Sequence, residues 1–393
     1  MATERGSARG ECWAGYYDGA MIVPKQSLRQ LDWIILGTTA LLCLCGVLAI
    51  KSALHHNVHA LIFVRKQIIG ILMGGAAMVA LALSDYAVLL KRCARYLYVL
   101  NLILLVVVLN HHFGGHASHG ASRWILLGPF QLQPSEFAKV ILIITLALYL
   151  TAQSDTVSEW QTVLKSLVHI GIPMLLIAKQ PDLGTALALL AIWFGMMVMA
   201  GARAAHLLAV LLVSVMLFAG MWHFNVILKD YQKNRLEVFL NPDADPRDTG
   251  YHLHESEIAI GSGQISGEGY ERGTQSSGDF IPEQHTDFIF TVVGEEGGLV
   301  VCAMLLTLYL VLLERGVATM ADCEDTLGRL LAAGVLSMLT FHIVVNVGMT
   351  MGIMPVVGVP LPFVSYGLSS LLVNLMAIGL LLSVAARKHR VMF

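Results

Sequence analysis

Residues 183–201 read LGTALALLAIWFGMMVMAG, a run without a single charged side chain. As a helix it spans the roughly 30 Å of a bilayer's hydrocarbon core, which takes about 20 residues. A helix pairs its backbone polar groups within one segment, and lipid tolerates little else. Outward from this run, nine further apolar stretches, some with isolated charges, occur near 31–50, 67–84, 93–110, 135–152, 162–178, 204–223, 287–313, 327–350 and 361–385. The expected fold is an all-α membrane protein, a bundle of ten transmembrane helices. A β-barrel needs short alternating strands, whereas these runs are continuous.

Composition agrees. The 393 residues are 56% hydrophobic and 13% charged, against about 25% charged in ordinary globular domains. No large soluble domain is expected, and a net charge of −2 gives nucleic acid no bulk attraction. Cys12, Cys43, Cys45, Cys93, Cys302 and Cys323 form no CxxC pair. They read as apolar fillers or reducing-side thiols, and no disulfide is expected. The first thirty residues lack an apolar h-region, so the first span would serve as the targeting signal.

Lys and Arg set the orientation. With the N-terminus inside, the inner segments hold 14 of the 25 basic residues and the short outer loops hold 5. Both termini are expected in the cytoplasm. Residues 1–30 form an N-terminal tail, 31–386 the transmembrane domain and 387–393 a C-terminal tail. Within the domain, 224–286 is a long extracytoplasmic loop between the seventh and eighth spans. Loops beyond about 12–15 residues are usually functional or disordered. This one carries Asn241-Pro242-Asp243-Ala244-Asp245-Pro246 and a Gly-rich stretch from Gly261 to Gly278. Its segment 251–260 has the spaced apolar residues of a short amphipathic helix on the membrane surface.

Four polar constellations lie toward the outer side. The first joins Arg123-Trp124 to Gln133-Pro134-Ser135-Glu136-Phe137-Ala138-Lys139. Glu136 and Lys139, three apart, share a helix face and can pair. They form either a structural pair at a helix start capped by Ser135 or part of a substrate path, since buried charge in a span is costly. In the second, Lys179-Gln180-Pro181-Asp182-Leu183-Gly184-Thr185, Asp182 either caps the next helix or helps build a sugar or cation site. The third, Pro282 to Phe290, sets Asp287 at or just inside a helix N-terminus, where the dipole favours an ionised carboxylate. An ionised carboxylate at a water–lipid boundary can act as a general base. Glu295 and Glu296 follow in the same span and need partners or water. The fourth, MPVVGVPLPFVSYG at 354–367, holds three prolines that oppose a regular helix. Non-helical backbone at membrane depth lines a cavity or is covered by protein, so a groove is expected. His111, His112, His116 and His119 crowd one outer loop, and His252 and His254 the long one, without the Cys or acidic partners that complete a zinc site.

At these motifs the sequence resembles the SEDS family, in its RodA-like elongation branch. The resemblance runs from about Leu31 onward. It rests on Gly120-Ala121-Ser122-Arg123-Trp124, Gln133-Pro134-Ser135-Glu136, Gln180-Pro181-Asp182-Leu183-Gly184-Thr185, Pro282-Glu283-Gln284-His285-Thr286-Asp287-Phe288 and Gly358 to Gly367, five motifs in order. Gly273-Thr274-Gln275-Ser276 is similar to the elongation type, where the division type carries a Ser…Gln-Lys pattern. Leu368 stands where the family commonly has a second Gly. The resemblance implies a peptidoglycan glycosyltransferase in the bacterial inner membrane, polymerising lipid II into glycan strands during cell elongation and releasing undecaprenyl pyrophosphate. It implies a class B penicillin-binding protein and elongation-complex membrane proteins as partners. The family's essential Asp maps to Asp287, its ion pair to Glu136 and Lys139, and a further functional Asp to Asp182.

Pyrophosphate leaves as a stable anion, so one base suffices where glycosidases need two carboxylates. Asp287 is expected to deprotonate the acceptor hydroxyl for in-line, inverting attack. Arg123 and Lys139, with Glu136 orienting Lys139 and a divalent cation (Mg or Mn) as a further candidate, are expected to neutralise the pyrophosphate. His285, Ser365 and Tyr366 are expected to line the substrate groove. Two rival readings are a lipid II flippase, which commonly shows paired half-repeats not seen here, and a non-catalytic scaffold of a wall-synthesis complex.

Overall fold

The computed structural model describes residues 31–109, 115–118, 121–127, 130–223, 235, 237–239, 241, 249–278 and 284–387. The two tails up to residue 30 and from 388, most of the Asn241–Pro246 cluster, Pro282 and Glu283, and His111, His112 and His119 lie outside the described residues.

The chain is nearly all helical. The helices are α1 (Trp33–Ala53), α2 (Ala60–Leu83), α3 (Tyr86–Leu109), α4 (Pro134–Ala152), α5 (Trp160–Lys179), α6 (Leu183–Ala200) and α7 (Ala204–His223). They continue with α8 (Thr249–Ser262), the short α9 (Thr274–Ser277), α10 (Ile289–Ala321), α11 (Thr326–Thr350) and α12 (Leu368–Ala385). Among the described residues, nine are long and apolar enough to cross a membrane; α7 contributes a shorter apolar stretch, Ala204–Met216. The protein is a multi-pass membrane protein.

Local chemistry sets the starts. Asp32 caps α1 by accepting from the amides of Ile34 and Ile35, Asp325 caps α11 through Leu327 and Gly328, and Pro134 opens α4 at a position where its missing N–H costs nothing. Ser135 is not the cap of α4, since Gln133 takes that place and the Ser135 hydroxyl is spent elsewhere. The span expected from 361 begins only at Leu368. Residues 361–367 are a tight turn in which the Ser365 amide donates to the Leu361 carbonyl, and Phe363 takes a left-handed φ of +68°.

Small residues let the spans approach closely, as expected where lipid offers no hydrophobic drive. A β-carbon on Gly74 of α2 would collide with Leu375 of α12, and Gly70 lies under Leu368. Gly334 of α11 sits between Ile143 of α4 and Met196 of α6. The core runs through α4, α6, α11 and α12, with Trp193 fully buried and its indole N–H donating to Ser166. Large apolar side chains such as Leu72, Met216 and Leu310 point outward, as lipid-facing surface requires.

Two features go beyond a plain helical bundle. A three-stranded antiparallel sheet, β1 (Gly115–Ser118), β2 (Ala121–Leu127) and β3 (Phe130–Leu132), joins α3 to α4. In addition, α10 is broken at Gly298, whose backbone (φ 61°, ψ −165°) leaves the helical region. The break frees the carbonyls of Glu295 and Glu296, which accept from the amides of Glu268 and Gly269 at 3.0 Å each. The Gly-rich stretch therefore packs into the interrupted helix, with Gly263 and Gly267 against its backbone where any β-carbon would collide. The segment expected as a surface helix is helical over Thr249–Ser262, and its Ser256 hydroxyl is buried against Thr291 and the carbonyl of Thr350.

Candidate functional site

The motifs singled out in the sequence meet at one end of the bundle. Arg123 on β2 donates from Nε to the Gln180 carbonyl at 3.1 Å and from its terminal nitrogen to the Pro181 carbonyl. It thereby ties the sheet to the turn between α5 and α6. Asp182, which ends that turn, is buried and heavily used. Its Oδ1 accepts from the Thr185 amide, and its Oδ2 from Gln133 Nε2 at 3.0 Å, Ser135 Oγ at 3.1 Å and Thr185 Oγ1 at 3.0 Å. Of the two expectations for Asp182, helix capping is what the geometry displays, joined to a clamp between α4 and α6.

Glu136 and Lys139 pair at 2.9 Å deep in the bundle, and Lys139 has no exposed surface. Its ammonium also lies 3.2 Å from Nε2 of His342 on α11. An ammonium has only donors, so His342 accepts there through Nε2. Breaking such a pair leaves an uncompensated buried charge. Lys139, expected to help neutralise a pyrophosphate, is enclosed between Glu136 and His342. His342 carried no sequence signal beyond being a histidine in an apolar run.

Asp287 lies in the turn before α10, one residue ahead of the cap Phe288, and so just outside the helix terminus expected to hold it. It is half-buried. Its carboxylate faces Gly358 in the proline-rich loop: a β-carbon there would lie 3.1 Å from Asp287 Oδ2 and 3.7 Å from Nη1 of Arg235. A carboxylate and a guanidinium thus converge on a bare stretch of backbone. Gly358 has φ +70°, a conformation that favours glycine, and it is the absent side chain that leaves room. Arg235 was not recognisable from sequence as part of the site. The same loop rests on α6, since a β-carbon on Gly184 would lie 3.0 Å from the Val357 carbonyl and 3.3 Å from that of Gly358.

The rim is aromatic. His285 and Tyr366 meet Phe63 of α2 with ring centroids 5.3 and 5.1 Å away, and the Tyr366 amide donates to the His285 carbonyl at 2.9 Å. His285 and Tyr366 are half-exposed, whereas Ser365 is buried. The Ser365 hydroxyl accepts from the Leu361 amide and so braces the loop.

Glu295 and Glu296 have the partners their burial demands. Glu295 accepts from the amides of Gln275 and Ser276 at 2.6 and 2.9 Å, capping α9 from outside. Glu296 accepts from Ser52 at the end of α1. Gln284, close to Asp287 in sequence, donates to the carbonyls of Ala53 and Ser276. Among the described residues no three His, Cys, Asp or Glu side chains cluster as a metal centre.

Comparison with known proteins gives a consistent picture. The FtsW/RodA/SpoVE family model, described as a cell cycle protein, matches residues 28–390. The peptidoglycan glycosyltransferase MrdB of Escherichia coli (strain K12) is 42% identical over 300 residues, covering 76% of this chain and 79% of that protein. The peptidoglycan glycosyltransferase RodA of Treponema pallidum (strain Nichols) is 34% identical, covering 92% of this chain and 99% of its own. A solved structure described as the structural coordination of polymerization and crosslinking by a peptidoglycan synthase complex is 32% identical. It superposes with a TM-score of 0.78 over 92% of this chain and 99% of that chain.

Proposed function

We propose a mechanism for this chain, which belongs to the FtsW/RodA/SpoVE family and is a peptidoglycan glycosyltransferase. The substrate is lipid II, whose anomeric carbon carries undecaprenyl pyrophosphate. Asp287 takes the proton of the acceptor sugar's hydroxyl. The hydroxyl oxygen then attacks the anomeric carbon in line, the bond to the pyrophosphate oxygen breaks with its electron pair, and the product is inverted. The observation that carries this reading is the convergence of the Asp287 carboxylate and the Arg235 guanidinium on Gly358, at a half-buried position. Of the described acids in the motifs, Glu136 and Asp182 are buried and committed to partners.

Arg235 supplies positive charge next to the reacting carboxylate, and a guanidinium suits a phosphate geometrically. Arg123, tied to the α5–α6 turn, stands by as the second cation. Among the described residues, Asp287 is the carboxylate that would hold a divalent cation (Mg or Mn) beside the substrate's phosphates. When bound it would neutralise the leaving pyrophosphate. Asp182 cannot contribute, because its oxygens already take four donors. His285 and Tyr366 form the substrate wall beside Asp287.

The excess of Lys and Arg on the inner segments supports both termini in the cytoplasm and the site facing outward, in the bacterial inner membrane. A class B penicillin-binding protein as crosslinking partner is supported by the similar synthase complex. The likeness to the elongation type at Gly273-Thr274-Gln275-Ser276 is the basis for proposing a role in cell elongation, with elongation-complex membrane proteins as partners.

The test is Asp287→Asn in the purified protein with lipid II and its transpeptidase partner. Loss of glycan polymer with lipid II binding retained is expected. Normal polymer yield removes Asp287 from the mechanism, and transport of lipid II across vesicles without polymerisation replaces the enzyme by a flippase.

A further inference from the structure

We propose that Asn346 is a positioning residue that sets Asp287 against the Gly358 loop, and that His342, one turn earlier, links it to the buried Glu136–Lys139 pair. The inference rests on Asp287 being the base.

Asn346 lies on α11 with no exposed surface. Its Nδ2 donates to the carbonyl of Asp287 at 2.8 Å and to the carbonyl of Val359 at 2.7 Å. An amide nitrogen has two hydrogens, and both are committed. The two carbonyls belong to segments far apart in the chain: the turn that carries the reacting carboxylate, and the loop whose Gly358 faces that carboxylate. One side chain therefore fixes the separation of the two walls between which the Asp287 carboxylate sits. Asn346 reaches only the backbone of Asp287, so it acts through Asp287.

His342 and Asn346 are four apart and so share one face of α11. Through its 3.2 Å contact with Lys139, His342 pins the rotation of α11 to α4. The next turn delivers Asn346 to Asp287. The sealed ion pair, which has no surface for substrate, thereby influences the reaction by holding this face in register.

The experiment uses full-length protein with its transpeptidase partner and lipid II. The amount of lipid II-binding protein is measured for each variant, and turnover is expressed per binding-competent molecule. Asn346→Leu, similar in size but without a donor, is expected to lower kcat on the order of a hundredfold, as displacement of a reacting group by about 1 Å does. KM for lipid II should stay within about twofold, because no substrate contact is removed. Asn346→Gln keeps the amide donor and is expected to recover at least about tenfold of that loss. Should the Leu variant fail to accumulate, Asn346→Ser, with one donor, must show the same kcat-only loss at smaller size. Unchanged turnover per binding-competent molecule, or equal changes in kcat and KM, overturns the proposal and leaves Asn346 purely structural. If Asp287→Asn is inactive while Asn346→Leu turns over normally, only this inference fails. If Asp287→Asn polymerises normally, the reading beneath it fails as well.

Discussion

Asp287 and Gly358 approach so closely that a β-carbon on the glycine would stand 3.1 Å from the carboxylate oxygen Oδ2. The contact joins the turn before the broken helix α10 to a proline-rich loop that is not helical and not exposed. That loop is held from three sides: Asn346 grips the Val359 carbonyl, Tyr309 donates to the Pro362 carbonyl at 2.5 Å, and Gln67 donates to the Ser365 carbonyl at 3.3 Å. Non-helical backbone at membrane depth needs such support, since lipid would leave its carbonyls unpaired.

Replacing Gly358 by Ala tests this contact directly. The left-handed φ costs an alanine about 1–2 kcal/mol, and the new methyl meets Asp287 and Arg235 together. Glycan polymerisation by Gly358→Ala is expected to fall about tenfold to a hundredfold, with thermal unfolding in detergent shifted far less. A wild-type rate would show that the carboxylate works from another position.

The buried ion pair makes a second prediction. Lys139→Met leaves Glu136 charged and unpaired, which should cost about 3–5 kcal/mol. Adding Glu136→Gln removes the stranded charge and is expected to restore most of the stability, read by thermal unfolding. Activity should stay low in the double variant, because His342 has lost its ammonium donor. A double variant as unstable as the single one would mean that the stranded Glu136 charge is not the source of the instability.

Much of this was legible in the sequence where length and polarity alone decide. The run 183–201 becomes a helix over Leu183–Ala200, and 204–223 is helical over that same range. Legibility fails where backbone geometry intervenes. Residues 361–367 are apolar enough to extend a span, yet the prolines and the Leu361–Ser365 turn delay the helix to Leu368. The pair Glu295–Glu296 is visible as two charges in an apolar run, but not the break at Gly298 that lets the Gly-rich segment pair with their backbone carbonyls. Arg235 sits in a polar loop, where a lone basic residue is ordinary, and only folding brings it to Asp287. Lys139 was legible as costly and therefore meaningful, while its partner His342, far along the chain, was not.

Glu295 should govern the order of the segment ahead of Asp287. Its carboxylate is the acceptor for two consecutive amides at the start of α9. With Glu295→Ala those amides lose their partner inside a covered site, a local cost of about 1–3 kcal/mol. Hydrogen exchange at Gln275 and Ser276 is expected to quicken by at least tenfold, corresponding to about 1.4 kcal/mol. Protection unchanged from wild type would show that Glu295 does not hold the segment.

The neighbouring Glu271 makes the attachment of the Gly-rich segment dependent on pH. Its carboxylate lies 2.9 Å from Lys51 at the end of α1 and 3.3 Å from His55, and Tyr270 beside it donates to the Leu48 carbonyl. The hydrogen bond from Lys51 holds the Glu271 carboxyl below its ordinary value of 4.5. A group whose folded value is depressed contributes stability above the unfolded value and loses it as pH falls through the folded one. Attachment should therefore be complete above 4.5 and weaken progressively below it. Measured in a His55→Asn background, which removes the imidazole from this contact, exchange of amides in 263–273 is expected to rise as the solution is acidified. Adding Lys51→Met removes the cation that depresses Glu271, and the acid-dependent rise should flatten. An identical acid response with and without Lys51 would place the sensitive group elsewhere.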